Sequence, residues 1–143
     1  MIEIPNLELN EWLSDLKPYQ KNQITKLITG DNIEIAAEKW ISANGPSNTI
    51  MFGGQQNESK PFYENFKKEI AKFLCGHQDY EEHRKLLNAE APITKTVILT
   101  LVSGAIATKI GVLESLIVPA VAVILHLIGK MTIGAWCATN YSE

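Results

Sequence analysis

Apolar residues recur along the first ninety positions at intervals of three and four, the spacing of one helix face. Leu9, Trp12, Leu13 and Leu16 make one such stripe, and Asn6 ahead of them is a capping residue, so the pattern predicts a helix over 7–16. Pro18 suits the first turn of a second helix, which carries Ile24, Leu27 and Ile28 and runs to Thr29 before Gly30. Asp31 and Glu34 have capping-box spacing. They predict a third helix with Ile33, Ala36, Ala37, Trp40 and Ile41 inward, ending at Asn44-Gly45-Pro46. The three helices read as a compact bundle around two tryptophans.

Residues 45–59, GPSNTIMFGGQQNES, interrupt the period and predict a flexible connector, with Ile50, Met51 and Phe52 tucked back onto the bundle. Gly53-Gly54 is no phosphate loop, because no strand precedes it and no Gly-Lys-Ser/Thr follows. Regular structure resumes with Phe62, Phe66, Ile70, Phe73 and Leu74, a helix over 61–74 stopped by Gly76. Asp79-Tyr80-Glu81-Glu82 repeats the capping-box pattern and opens a fifth helix to Asn88.

Then the pattern changes. The 42 residues from Thr96 to Cys137 hold three charges, Lys109, Glu114 and Lys130. Pro92 fits the start of a sixth helix reaching Ile110, with Gly111 as its cap. A lead-in over Val112 to Val118 precedes Pro119, which starts or kinks a last helix running to Cys137, and the tail from Ala138 frays. No period-two alternation and no repeat of fixed length occurs. The reading is an all-α single domain over 1–143, a bundle of six or seven helices. It comprises three short amphipathic helices (1–44), a connector (45–59), two amphipathic helices (60–90) and an apolar hairpin (92–137) at its centre.

A spanning helix needs about 20 apolar residues. Val97 to Thr108 supplies 12, and Ser115 to Leu125 supplies 11, or 15 if extended through His126 to Gly129. Both fit a buried hairpin better. The layout, amphipathic helices first and apolar hairpin last, resembles the plan of pore-forming colicins and Bcl-2-like proteins. That resemblance concerns architecture, without a shared motif. It implies a membrane-active alternative, in which wrapping helices release the hairpin into lipid.

Composition adds an asymmetry. Residues 1–92 carry 10 Lys/Arg against 14 Asp/Glu, and residues 93–143 carry 3 against 2, which together give the net charge of −3. A mildly acidic chain without a basic run argues against nucleic acid as partner. Two distant cysteines, Cys75 and Cys137, form no disulfide framework and read as reduced, buried thiols of a cytoplasmic protein. The opening MIEIPNLELNEW lacks the basic and apolar regions of a signal peptide.

Candidate chemistry is sparse. Cys75, His77, Asp79 and His83 are the densest reactive cluster, but the spacing fits no zinc pattern and nothing marks an oxyanion hole for a Cys–His pair. It reads as a solvated helix connector, with no metal, cofactor or catalytic residue expected. Gly104, Thr108 and Gly111 form a small-residue strip that lets the last helix, or a partner's helix, approach closely. His126 and Lys130 share a face of the last helix. They line a polar edge at the domain surface, paired with an acidic N-terminal residue, or face a partner protein, or line a membrane-embedded path, and Glu114 poses the same question at the other end of the hairpin. These six residues are the candidate interaction set. The expected function is a non-enzymatic interaction or accessory subunit, using the hairpin for self-association or docking to a larger protein. Such a subunit suits a bacterial toxin–immunity or antiphage assembly.

Overall fold

A computed structural model describes residues 4–28, 32–44, 59–89 and 94–141. Among the described residues, eight α-helices and one 3-10 turn, with no strand, run in order: α1 (Leu9–Leu13), α2 (Pro18–Leu27), α3 (Glu34–Asn44), α4 (Ser59–Cys75), the turn Gln78–Tyr80, α5 (Glu81–Ala89), α6 (Lys95–Ile110), α7 (Glu114–Lys130) and α8 (Ile133–Asn140). The fold is an all-α bundle. Residues 45–58 of the connector, with its apolar trio, and Asp31 and Pro92 lie outside the described residues, while Ser59, expected to end the connector, already begins α4.

α7 is the centre. Its side chains at 117, 119–126 and 128 are all buried. A helix that is apolar all round must be covered all round, and α1, α2, α3, α6 and α8 pack against it. Trp12 and Trp40 are fully buried in this core, as the sequence predicts.

Pro119 lies inside α7 rather than at its start. Proline has no N–H to offer the carbonyl four residues back. Here that carbonyl belongs to Ser115, and the Gln20 amide of α2 donates to it at 3.0 Å. The Trp40 indole of α3 donates to the neighbouring Leu116 carbonyl at 2.7 Å. The Gln20 amide thus supplies the donor that the proline cannot, the Trp40 indole adds a second tie to the same turn, and α7 runs on to Lys130.

The ends differ from expectation where a side chain finds a stronger partner. α1 starts after Glu8 rather than Asn6. Asn32 Oδ1 accepts from the Glu34 N–H at the start of α3, while the Glu34 carboxylate turns to α4 and accepts from Tyr63 Oη and Lys67 Nζ. Thr94, within the first turn expected after Pro92, caps α6 through the Val97 N–H. Gly76 and Gly111 close α4 and α6 at φ 99° and 78°, in the left-handed region that glycine favours. The last helix divides at Met131-Thr132: Thr132 Oγ1 accepts from the Ala135 N–H, and α8 turns 113° from α7. This split accounts for the eighth helix and extends regular structure past the predicted end at Cys137.

Candidate functional site

The sequence singled out three places, and the structure separates them. At the first, α8 turns back over α4 and brings Cys137 to Cys75. The two form a disulfide with Cα atoms 5.8 Å apart across 62 residues. The expectation of two reduced thiols is therefore corrected. A straight final helix would have carried Cys137 away from α4, and the break at Thr132 returns it. With both sulfurs bonded, this state has no Cys75 nucleophile for His77 or His83 to activate.

The neighbouring polar residues are engaged structurally. His77 Nδ1 accepts from the Asp79 N–H at 3.0 Å and starts the 3-10 turn, a role the capping-box pattern assigned to Asp79. The Asp79 carboxylate instead lies 3.7 Å from both Lys72 and Lys109, which ties the turn to α4 and α6. Tyr80 Oη donates to the buried Glu69 carboxylate at 2.6 Å. Burial, with that carboxylate alongside, pushes the Tyr80 hydroxyl pKa well above its ordinary value. His83 packs beside the rings of Phe73 and Tyr80. Among the described residues, no group of three or more His, Cys, Asp or Glu is placed to hold a metal ion.

Beside the disulfide, between α4 and α8, lies an open cleft of about 740 Å3 lined by Glu64, Lys67, Lys68, Lys72, His77, Asn140 and Tyr141. Its lysines are largely balanced. Lys67 pairs with Glu34 at 2.6 Å, and Lys72 with Glu69 at 3.5 Å.

The second place is the outer side of α6. Ile98, Val102 and Ile106 point into the core, so at 100° per residue Gly104, Thr108 and Gly111 fall on the opposite side. Gly104 is half-buried, and Thr108, Gly111 and Glu114 are exposed. Among the described residues, a Cβ built on Gly104 meets only the Glu114 carboxylate, at 3.8 Å. The strip is not the seat of α7 or α8, which corrects the expectation that the last helix packs there. Thr108 Oγ1 donates to the Gly104 carbonyl at 2.9 Å, so the hydroxyl is satisfied within its own helix.

The third place divides. Lys130 is exposed, whereas His126 is 2% exposed, so the two do not form one polar edge. The extended N-terminal segment crosses here. His126 Nδ1 lies 3.0 Å from the Leu7 carbonyl, which only accepts, so the ring nitrogen donates. Burial lowers the His126 pKa, the Leu7 bond opposes that shift, and Lys130 adds to it. His126 is a structural anchor for the segment over α7.

Sequence reasoning passed over three contributors. Arg84 donates to the carbonyls of Lys72, Phe73 and His77, satisfying the end of α4. Gln20 lies on the apolar stripe with Ile24, four residues on. A glutamine there, with a proline inside a later apolar helix, is the readable signal for a buried amide–carbonyl bond. The cysteine pair gave no such signal, because spacing alone does not show which helices meet.

No single helix among the described residues is long and apolar enough to cross a membrane; α7 with α8 meets the length and composition only as a pair bent by 113°. No protein-family model, no curated protein and no solved structure matches the chain.

Proposed function

We propose that this chain is a non-enzymatic helical subunit that associates with a second copy of itself through the outer face of α6 and the start of α7. The observation that carries the reading is the outward small-residue strip of Gly104, Thr108 and Gly111, which no described residue beyond the Glu114 side chain covers at Gly104. Small residues let two helix backbones approach closely, which raises packing contact per residue.

A second copy is the occupant because a two-fold interface is self-complementary: the small-residue strip of one copy packs on the same strip of the other. Glu114, whose carboxylate lies over Gly104, stands at the edge of this face. The buried hairpin then acts as the rigid support of this face. Release of the hairpin into lipid, the competing reading, requires α7 to leave its packing with α1, α2, α3, α6 and α8. Cytoplasmic placement belongs to the same proposal and depends on the redox behaviour of the cysteine pair.

The test is sedimentation equilibrium over a range of micromolar concentrations. The wild-type chain should show a concentration-dependent dimer. Gly104→Leu should be monomeric with an undiminished melting temperature, since the site is open and helix propensity favours leucine over glycine. A wild-type monomer throughout the range, or a dimer indifferent to Gly104→Leu, overturns the reading.

A further inference from the structure

The disulfide joins two helices that the fold holds very differently. α4 packs against α3, α5, α6 and α8, and its Phe66, Ile70 and Phe73 are wholly buried. α8 has eight residues, of which Ile133 and Trp136 are buried, and it packs on α4 and the end of α7. A helix that short does not persist in water by itself, so its persistence depends on attachment. The covalent attachment is the Cys75–Cys137 bond.

That bond is also reachable. Both cysteines are half-buried. The adjoining cleft is lined by Lys68 and Lys72, which share one face of α4 with Cys75, and by Asn140 and Tyr141, which follow Cys137. Most of the cover of α7 comes from α1, α2, α3 and α6, and α8 contributes the least of it.

We propose that Cys75–Cys137 is a redox latch: reduction by a dithiol frees α8 from α4 and widens the cleft, while the rest of the bundle stays folded. One thiolate of the dithiol attacks a cysteine sulfur, the protein S–S bond breaks, and the other cysteine leaves as a thiolate. The second reductant sulfur, once deprotonated, closes on the mixed disulfide and expels the first cysteine. Two electrons and two protons pass from the dithiol to the protein. The reductant ends as a disulfide and the protein as two thiols. A reducing cytosol opens the latch and an oxidising compartment closes it. Opening uncovers Ile133, Trp136 and the part of α4 beneath them.

Hydrogen exchange read by mass spectrometry on the full chain, with and without dithiothreitol, tests this, with iodoacetamide labelling to count free thiols. Amides of 133–140 should exchange about tenfold faster or more on reduction, while those of α3, α6 and α7 change by less than about twofold. Acrylamide should gain access to Trp136 but not to the fully buried Trp12 or Trp40. Cys137→Ser should show the reduced pattern without reductant and not respond to it. Unchanged α8 protection in a chain with two free thiols would overturn the latch. So would uniform loss of protection in every helix, which marks a general staple, or two free thiols in the chain purified under air.

Discussion

Replacing Gly129 by alanine tests how the N-terminal segment holds α7. A Cβ at this position collides with the Pro5 carbonyl oxygen and lies 3.2 Å from the Pro5 carbonyl carbon and 3.4 Å from Asn6 Cα. These are backbone atoms, so the segment has to move. Alanine in a helix gains at most about 1 kcal/mol over glycine, and less at the penultimate residue of α7. Against this, lifting the segment leaves the buried His126 N–H without the Leu7 carbonyl, at a cost of roughly 1–3 kcal/mol. Ile4 and Leu7, which pack on the core, lose part of their burial, worth about 1 kcal/mol more between them. The net is a destabilisation of about 1–3 kcal/mol. At roughly 4 °C per kcal/mol for a chain of this size, the melting temperature falls by about 4–12 °C. Circular dichroism measures that loss, and NMR titration should show the His126 pKa falling further, because the Leu7 bond that opposes its lowering is lost. A variant as stable as the wild type, with an unmoved His126 titration, would refute the reasoning.

Two further perturbations probe the same core. Gln20→Leu removes the donor to the Ser115 carbonyl and should cost about 1–2 kcal/mol in urea denaturation. In a Pro119→Ala background, residue 119 supplies its own N–H, so the cost of Gln20→Leu should shrink; additive costs would show that the amide does not stand in for the missing donor. For His126, the fold favours the neutral ring, so below pH 6.5 the unfolded chain binds more protons than the folded one. This contribution to stability is complete above that pH and is lost as pH falls through the depressed folded value. His126→Gln should flatten that part of the stability–pH profile, and an unchanged slope would contradict the assignment.

The helices were legible because their apolar faces repeat at helical spacing, from Phe62 through Leu74 for α4 to the unbroken run of α7. Gly76 and Gly111 were legible because few residues other than glycine take a left-handed cap. Partners distant in sequence were not. Nothing near Glu34 shows that its carboxylate serves Tyr63 and Lys67 instead of its own helix. Thr132 is one polar residue in an apolar run, and only its cap geometry reveals the turn that brings Cys137 to Cys75. The strip of Gly104, Thr108 and Gly111 was visible as a pattern, but its direction depended on which side of α6 the core occupies.

The account rests on α7 being the fixed centre of the bundle and not a segment poised to leave it. Native-state hydrogen exchange of the amides between Ala120 and Ile128, followed in rising urea, tests this most directly. These amides should exchange only through complete unfolding, with a urea dependence equal to that of the global transition. Exchange of α7 through a smaller opening at low urea, while α3 and α4 stay protected, would contradict it.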